Sequence, residues 1–150
     1  MTAAPVLVFA WGNPSRGDDA LGPLFVERIE ALALPGVECL TDFQLQVEHA
    51  LDLFGRERIL FVDASIDAAV PFAAAPLEAG RDASFTTHAM TPAAVMQVYI
   101  DLHDAEPPPC TLLSIRGERF ELGAGLSPAA TRHLDAALAW TRQWLGHGHG

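Results

Sequence analysis

The apolar positions of the chain fall into short blocks separated by glycine, proline and acidic residues. Pro5–Trp11 (PVLVFAW) is a continuous apolar run that stops at Gly12, the pattern of a strand covered on both faces. Leu21, Leu24, Phe25, Ile29 and Leu32 then recur at helical spacing, so Leu21–Leu34 reads as a helix stopped by Pro35 and Gly36. Val37–Thr41 predicts a second strand, and Val47–Phe54 a second helix closed by Gly55. Arg58–Val62 (RILFV) is a third buried strand with Asp63 as its terminal residue, and Ala64–Pro71 reads as a loop. Phe72–Leu77 is a weaker run, fit for a sheet edge, and its direction is left open by periodicity alone. Thr91–His103 predicts a helix with Pro92 in its first turn. Three prolines at 107–109 force an extended connector into a strand over Cys110–Arg116. Ser127–Leu145 is a closing helix, with Ser127 as N-cap and Pro128 at the first helical position. The last residues, 146–150 (GHGHG), read as a disordered, frayed tail whose two histidines could gather a metal only adventitiously.

Strands alternating with helices argue for a single α/β domain over residues 1–150. The expected architecture is a three-layer α/β/α sandwich. Its sheet has about five strands, is twisted and mostly parallel, and carries helices on both faces.

Composition narrows the function. Half of the 150 residues are apolar, enough for a packed core. The formal net charge is −10, and all nine basic residues are arginine. No basic cluster is available to neutralise phosphates, so nucleic acid and anionic membrane surfaces are poor partners. No apolar run approaches the ~18 residues of a membrane span, and the N-terminus lacks a basic leader. The sequence therefore predicts a soluble, cytoplasmic protein. Cys39 and Cys110 lie too far apart for a metal-finger or redox motif and read as small core residues.

In open α/β sheets, ligands bind beyond the carboxyl ends of the strands. Three chemically loaded segments converge there. Residues 12–22 (GNPSRGDDALG) follow the first strand, Asp63 ends the third, and His88 precedes the helix that begins near Pro92. Asp18 and Asp19 sit where carboxylates cap free N–H groups, yet two adjacent acids exceed what one cap needs. An acid directly after an apolar strand is costly unless it meets a ligand, a cap or water. Two carboxylates and one imidazole suit a borderline divalent ion such as zinc, nickel or iron. The segment is neither a dinucleotide fingerprint nor a P-loop, and no G-x-S-x-G nucleophile elbow is present. His49 and His133 fall within predicted helices and His103 near a helix end, without an evident chemical partner.

These residues, in this order, resemble the endopeptidases that mature the large subunit of nickel–iron hydrogenases. The likeness rests on the opening strand with GNPSRGDDALG, on Asp63, on His88 before its helix, and on LSPAA at the last helix, and it spans nearly the whole chain. It implies removal of a C-terminal peptide from the large-subunit precursor after nickel insertion. It further implies that Asp19, Asp63 and His88 contact nickel supplied by the substrate, with no tightly bound metal of the enzyme's own. Asp19 stands where many members carry glutamate, which shortens the reach by one methylene and keeps the carboxylate. Asp19 or Asp63 would serve as catalytic general base. Asp42-Phe43-Gln44-Leu45-Gln46 occupies the place of the family's D-G-G-T-like recognition segment, and makes Asp42 and Gln44 substrate-binding candidates. That departure resembles the branch serving soluble, NAD-linked bidirectional hydrogenases. A monomer is the implied state. Three other readings remain: a hydrolase of the peptidyl-tRNA type, which Gly12-Asn13-Pro14 also resembles; a self-contained zinc hydrolase; and a non-catalytic nickel-delivery module.

Overall fold

A computed structural model describes residues 3–81 and 90–146. Five strands form one sheet: β1 (Val6–Trp11), β2 (Val37–Asp42), β3 (Arg58–Ser65), β4 (Phe72–Pro76) and β5 (Cys110–Arg116). Their order across the sheet is β2-β1-β3-β5-β4. β2, β1, β3 and β5 are parallel, and β4 runs antiparallel to β5 at the edge. Helices α1 (Leu21–Ala31), α2 (Pro92–His103) and α3 (Pro128–Gly146) and two 3-10 segments, Gly17–Ala20 and Val47–Leu53, complete the order. The expected α/β sandwich with a mostly parallel sheet and helices on both faces is what forms.

Strand alternation sorts the core into two layers. Val8 and Ala10 of β1 and Leu60 and Val62 of β3 pack against Phe25, Ile29, Leu134 and Ala137, so α1 and α3 cover one face. Leu7, Phe9, Ile59 and Phe61 meet Leu45, Leu53, Val95 and Met96, so α2 and the 47–53 segment cover the other. The α3 C-terminus is held by Arg58, which donates to the Trp144 and Leu145 carbonyls at 2.7 and 2.9 Å. Its guanidinium also lies 4.0 Å over the Trp144 ring.

Several boundaries differ from the sequence reading. Val47–Leu53 is a 3-10 segment rather than an α-helix. Its N-terminal end is closed by Gln46, whose N–H donates to His49 Nδ1, and the extended conformation at Phe54 ends it after two turns. β3 continues past Asp63 to Ser65, because Ala64 and Ser65 still pair with Ile115 and Arg116 of β5. Asp63 is therefore a strand residue, not the strand's last. α1 ends at Ala31 rather than Leu34, while α3 extends through Gly146, which the sequence reading gave to the tail. Residues 147–150 lie outside the described residues. Among the described residues, no helix is long and apolar enough to cross a membrane.

Candidate active site

The register of the sheet aligns three residues at its carboxyl end. Trp11 pairs with Asp42, and Ala10 pairs with Val62, which places Asp63 level with Trp11 on its other side. Asp63 shares the alternation of Ile59 and Phe61, and Asp42 that of Leu40, so both lie on the face covered by α2 and the 47–53 segment. The Trp11 ring stands edge-on to Phe61 with centroids 6.1 Å apart.

Asp19 arrives from the turn after β1. A Cβ at Gly12, where φ is +151°, would collide with the Asp19 carbonyl. At Gly22 the Trp11 carbonyl occupies the same space. Both glycines let the 3-10 turn fold back onto the strand exit. The Asp19 carboxylate is then fixed by the Asn13 N–H, which donates to Oδ2 at 2.7 Å. The turn packs against β3, and the charge of Asp19 reaches Asp63.

Asp63 is the most perturbed acid described. Burial, and secondly the Asp19 charge, push its carboxyl up to about 7. Its Oδ1 is buried with no hydrogen-bond partner among the described residues. A loop-capping role would supply N–H donors to that oxygen, and none is present among the described residues. An orphaned acceptor beside a second carboxylate is the donor set of a cation or proton site.

Asp18, by contrast, is structural. It is 0% exposed and accepts from the Glu118 and Arg119 N–H groups at 2.7 and 3.1 Å, and from the Ser127 N–H and hydroxyl at 2.7 Å each. Burial by itself would raise its pKa. The bonds from Ser127, Glu118 and Arg119 together outweigh that and hold it below the ordinary value. Ser127 caps α3 as expected, accepting from the Ala130 N–H at 3.2 Å.

Asp42 lines a cleft of about 290 Å³ with Gly12, Pro14, Pro23, Thr41 and Phe43. Gln44 is half-buried and lies outside that lining. His88 lies outside the described residues. Among the described residues, no group of three His, Cys, Asp or Glu side chains is placed to hold a metal ion. Asp19 and Asp63 are thus two acids whose charges interact at the carboxyl end of the sheet.

The sequence reading left His49 without a partner. It lies against Asp42, with Nε2 3.2 Å from Oδ2. No motif spans the two; the 42–49 stretch doubles back with Leu45 in the core at 1% exposure and Gln46 bonded to His49. His133 faces the Arg116 carbonyl at 2.8 Å, and His103 packs between Phe54 and Tyr99. Cys39 and Cys110 are free, and burial pushes their thiols up to about 11 and about 12, with Glu30 and Glu38 adding to the shift at Cys39. Cys110 is a buried core residue as expected, while Cys39 is half-buried against the core.

No protein-family model and no curated protein sequence matches the chain. The fold is nevertheless that of the hydrogenase maturation endopeptidases of known structure. The [NiFe] hydrogenase maturation protease HycI of Thermococcus kodakarensis KOD1 superimposes with a TM-score of 0.72 at 17% identity, covering 96% of this chain and 94% of that one. The hydrogenase maturating endopeptidase HybD of E. coli gives 0.69 at 23% identity, over 94% and 90% of the two chains. The hydrogenase 2 maturation peptidase of Thaumarchaeota archaeon SCGC_AB-539-E09 gives 0.68 at 22% identity, over 94% and 97%. At these identities the likeness is one of fold.

Proposed function

We propose that this protein is an endopeptidase that removes the C-terminal peptide of a nickel–iron hydrogenase large-subunit precursor after nickel has been inserted. The observation that carries the reading is the Asp63 carboxyl, raised to about 7 beside Asp19 with one buried oxygen unpartnered among the described residues. The shared fold supports the substrate class, since the neighbours are maturation peptidases by name.

The nickel is part of the substrate, held by the precursor, and is the feature recognised. Asp19, Asp63 and His88 complete its coordination, and the enzyme needs no tightly bound metal of its own. Carboxylate and imidazole donors match nickel(II). Docking brings the scissile bond beside the two carboxylates. Asp19 or Asp63 serves as general base toward the attacking water; in the free protein burial and the Asp19 charge raise the Asp63 carboxyl to about 7. No activated nucleophile is called for, so the chemistry is of the aspartic type. Asp42 and Gln44 receive the substrate chain. The segment around them, DFQLQ, fits the branch that serves soluble, NAD-linked bidirectional hydrogenases, and the enzyme acts as a cytoplasmic monomer.

The test is mass spectrometry of a large-subunit precursor after incubation with the protein, nickel-loaded and nickel-free side by side. Loss of one C-terminal peptide from the loaded form alone is expected. Cleavage of both forms would discard nickel recognition and keep the peptidase. Binding to the precursor with no new C-terminus would replace the peptidase by a nickel-delivery module.

A further inference from the structure

His49 makes three contacts that nothing in the catalytic reading uses. Its Nδ1 accepts from the Gln46 N–H at 2.8 Å. That leaves the proton of the neutral ring on Nε2, which donates to Asp42 Oδ2 at 3.2 Å. The ring itself stands edge-on against Phe9, with centroids 4.6 Å apart, and is 9% exposed. One buried side chain thus ties the first and last residues of the 42–46 segment together.

The segment has little else to hold its open side. Asp42 Oδ1 accepts from the Phe43 N–H at 2.7 Å, and the Asp42 carbonyl accepts from the Gly12 N–H at 3.1 Å. Leu45 plugs the core, and its carbonyl accepts from the Met90 N–H at 3.4 Å. Phe43 is 68% exposed and lines the cleft. Without His49, the Asp42 carboxylate is free to rotate, and the Phe43 N–H loses a fixed acceptor.

We propose that His49 is a positioning residue that clasps the 42–46 segment, aiming the Asp42 carboxylate and the Phe43 backbone into the cleft where the precursor chain is read. The cleft's role as the substrate-reading surface rests on the peptidase reading above; the clasp itself does not. Both ring nitrogens of His49 are engaged within the protein, so it acts through Asp42 and Gln46.

Two conservative variants separate the halves of the clasp. His49→Asn can place an acceptor where Nδ1 sits, keeping the bond from Gln46 and losing the one to Asp42. His49→Gln can reach Asp42 with its amide while giving up the bond from Gln46. Steady-state cleavage of nickel-loaded precursor and amide hydrogen exchange at Phe43 are measured for both and for wild type. His49→Asn is expected to raise KM about 5- to 10-fold, with kcat within about twofold, and to speed Phe43 exchange by a similar factor. His49→Gln is expected to stay near wild type in both readouts. A mere helix-capping role gives the reverse order, with His49→Asn normal and His49→Gln impaired, and overturns the proposal. Unchanged KM and exchange in both variants overturns it equally. If the wild type fails to cleave the precursor, the peptidase reading falls, and Phe43 exchange in the free protein still decides the clasp.

Discussion

The Ser127 hydroxyl donates to Asp18 Oδ2 at 2.7 Å while accepting the Ala130 N–H at 3.2 Å, so one side chain joins the turn after β1 to the start of α3. The carboxylate it meets is fully buried and surrounded by donors from residues 118, 119 and 127. These donors fix the turn from behind, and Asp19 is the next residue along it. The carboxylate that faces the candidate site thus has its backbone held by its neighbour's.

Asp18→Asn puts an amide among donors. Oδ2 takes three of the four bonds and Oδ1 the fourth, so whichever way the amide turns, its NH2 opposes at least one N–H. A loss of about 2–4 kcal/mol of stability is expected by denaturant titration. The pH dependence has a definite sign. The native pKa is below the unfolded one, so the stabilisation is present above the ordinary carboxylate range and disappears as pH falls through the native value. Asp18→Asn should flatten the acid limb of the stability curve. A variant as steep as wild type below pH ~4 would contradict the assignment.

Much of this fold was legible because it follows from periodicity. The runs Val6–Trp11 and Arg58–Val62 are apolar at both parities, and in the sheet they are central and covered on both sides. The placement of Asp19 after β1 and of Asp63 near the end of β3 was legible for a related reason, though β3 runs two residues further. Tertiary pairings were not. Asp18 reads from sequence as a cap for its own helix, yet it receives the N-terminus of α3, 109 residues later. His49 gave no signal, since its partner lies across a bend that buries Leu45. The 47–53 segment carries helical spacing, yet it winds as a 3-10 segment between Gln46 and the extended Phe54.

The proximity of Asp19 to Asp63 has its own test. Asp19→Asn removes the negative charge and leaves the burial, so the Asp63 pKa should fall from about 7 while staying above the ordinary aspartate value. Carbon-13 NMR titration of the Asp63 carboxyl reads this directly. An unshifted Asp63 would mean that the two carboxylates do not share a site.

Under the proposed function, His88 acts with the pair on nickel carried by the substrate. His88→Ala should lower the rate of precursor cleavage about 10- to 100-fold with no loss of thermal stability. Processing at the normal rate would remove His88 from the mechanism and leave Asp19 and Asp63 in it.

The Cys39 and Cys110 thiols, pushed up to about 11 and about 12, should be almost wholly protonated at pH 7.5. Iodoacetamide should modify the native protein far more slowly than the denatured chain. Rapid native labelling of Cys110 would show that β5 opens more readily than its burial between β3 and β4 allows.

Asp63→Asn carries the sharpest expectation, because its effects on stability and on function oppose each other. The native pKa, about 7, lies above the unfolded value of 3.8. The folded protein therefore binds more protons than the unfolded chain between those values, and stability declines as pH rises through them. Full stability at this residue belongs below pH ~4, where both states are protonated; above about 7 the half-buried carboxylate is charged against both burial and Asp19. Asparagine keeps the shape and never ionises. The variant should match wild type near pH 4 and exceed it by on the order of 1–3 kcal/mol at pH 8, read from denaturant midpoints. It should also lose precursor cleavage. A residue kept in place at a cost in stability, and whose neutral isostere stabilises the fold and abolishes turnover, is there for chemistry. A variant no more stable than wild type at pH 8 would mean that Asp63 finds a compensating partner in solution, and its claim on the substrate's nickel would weaken accordingly.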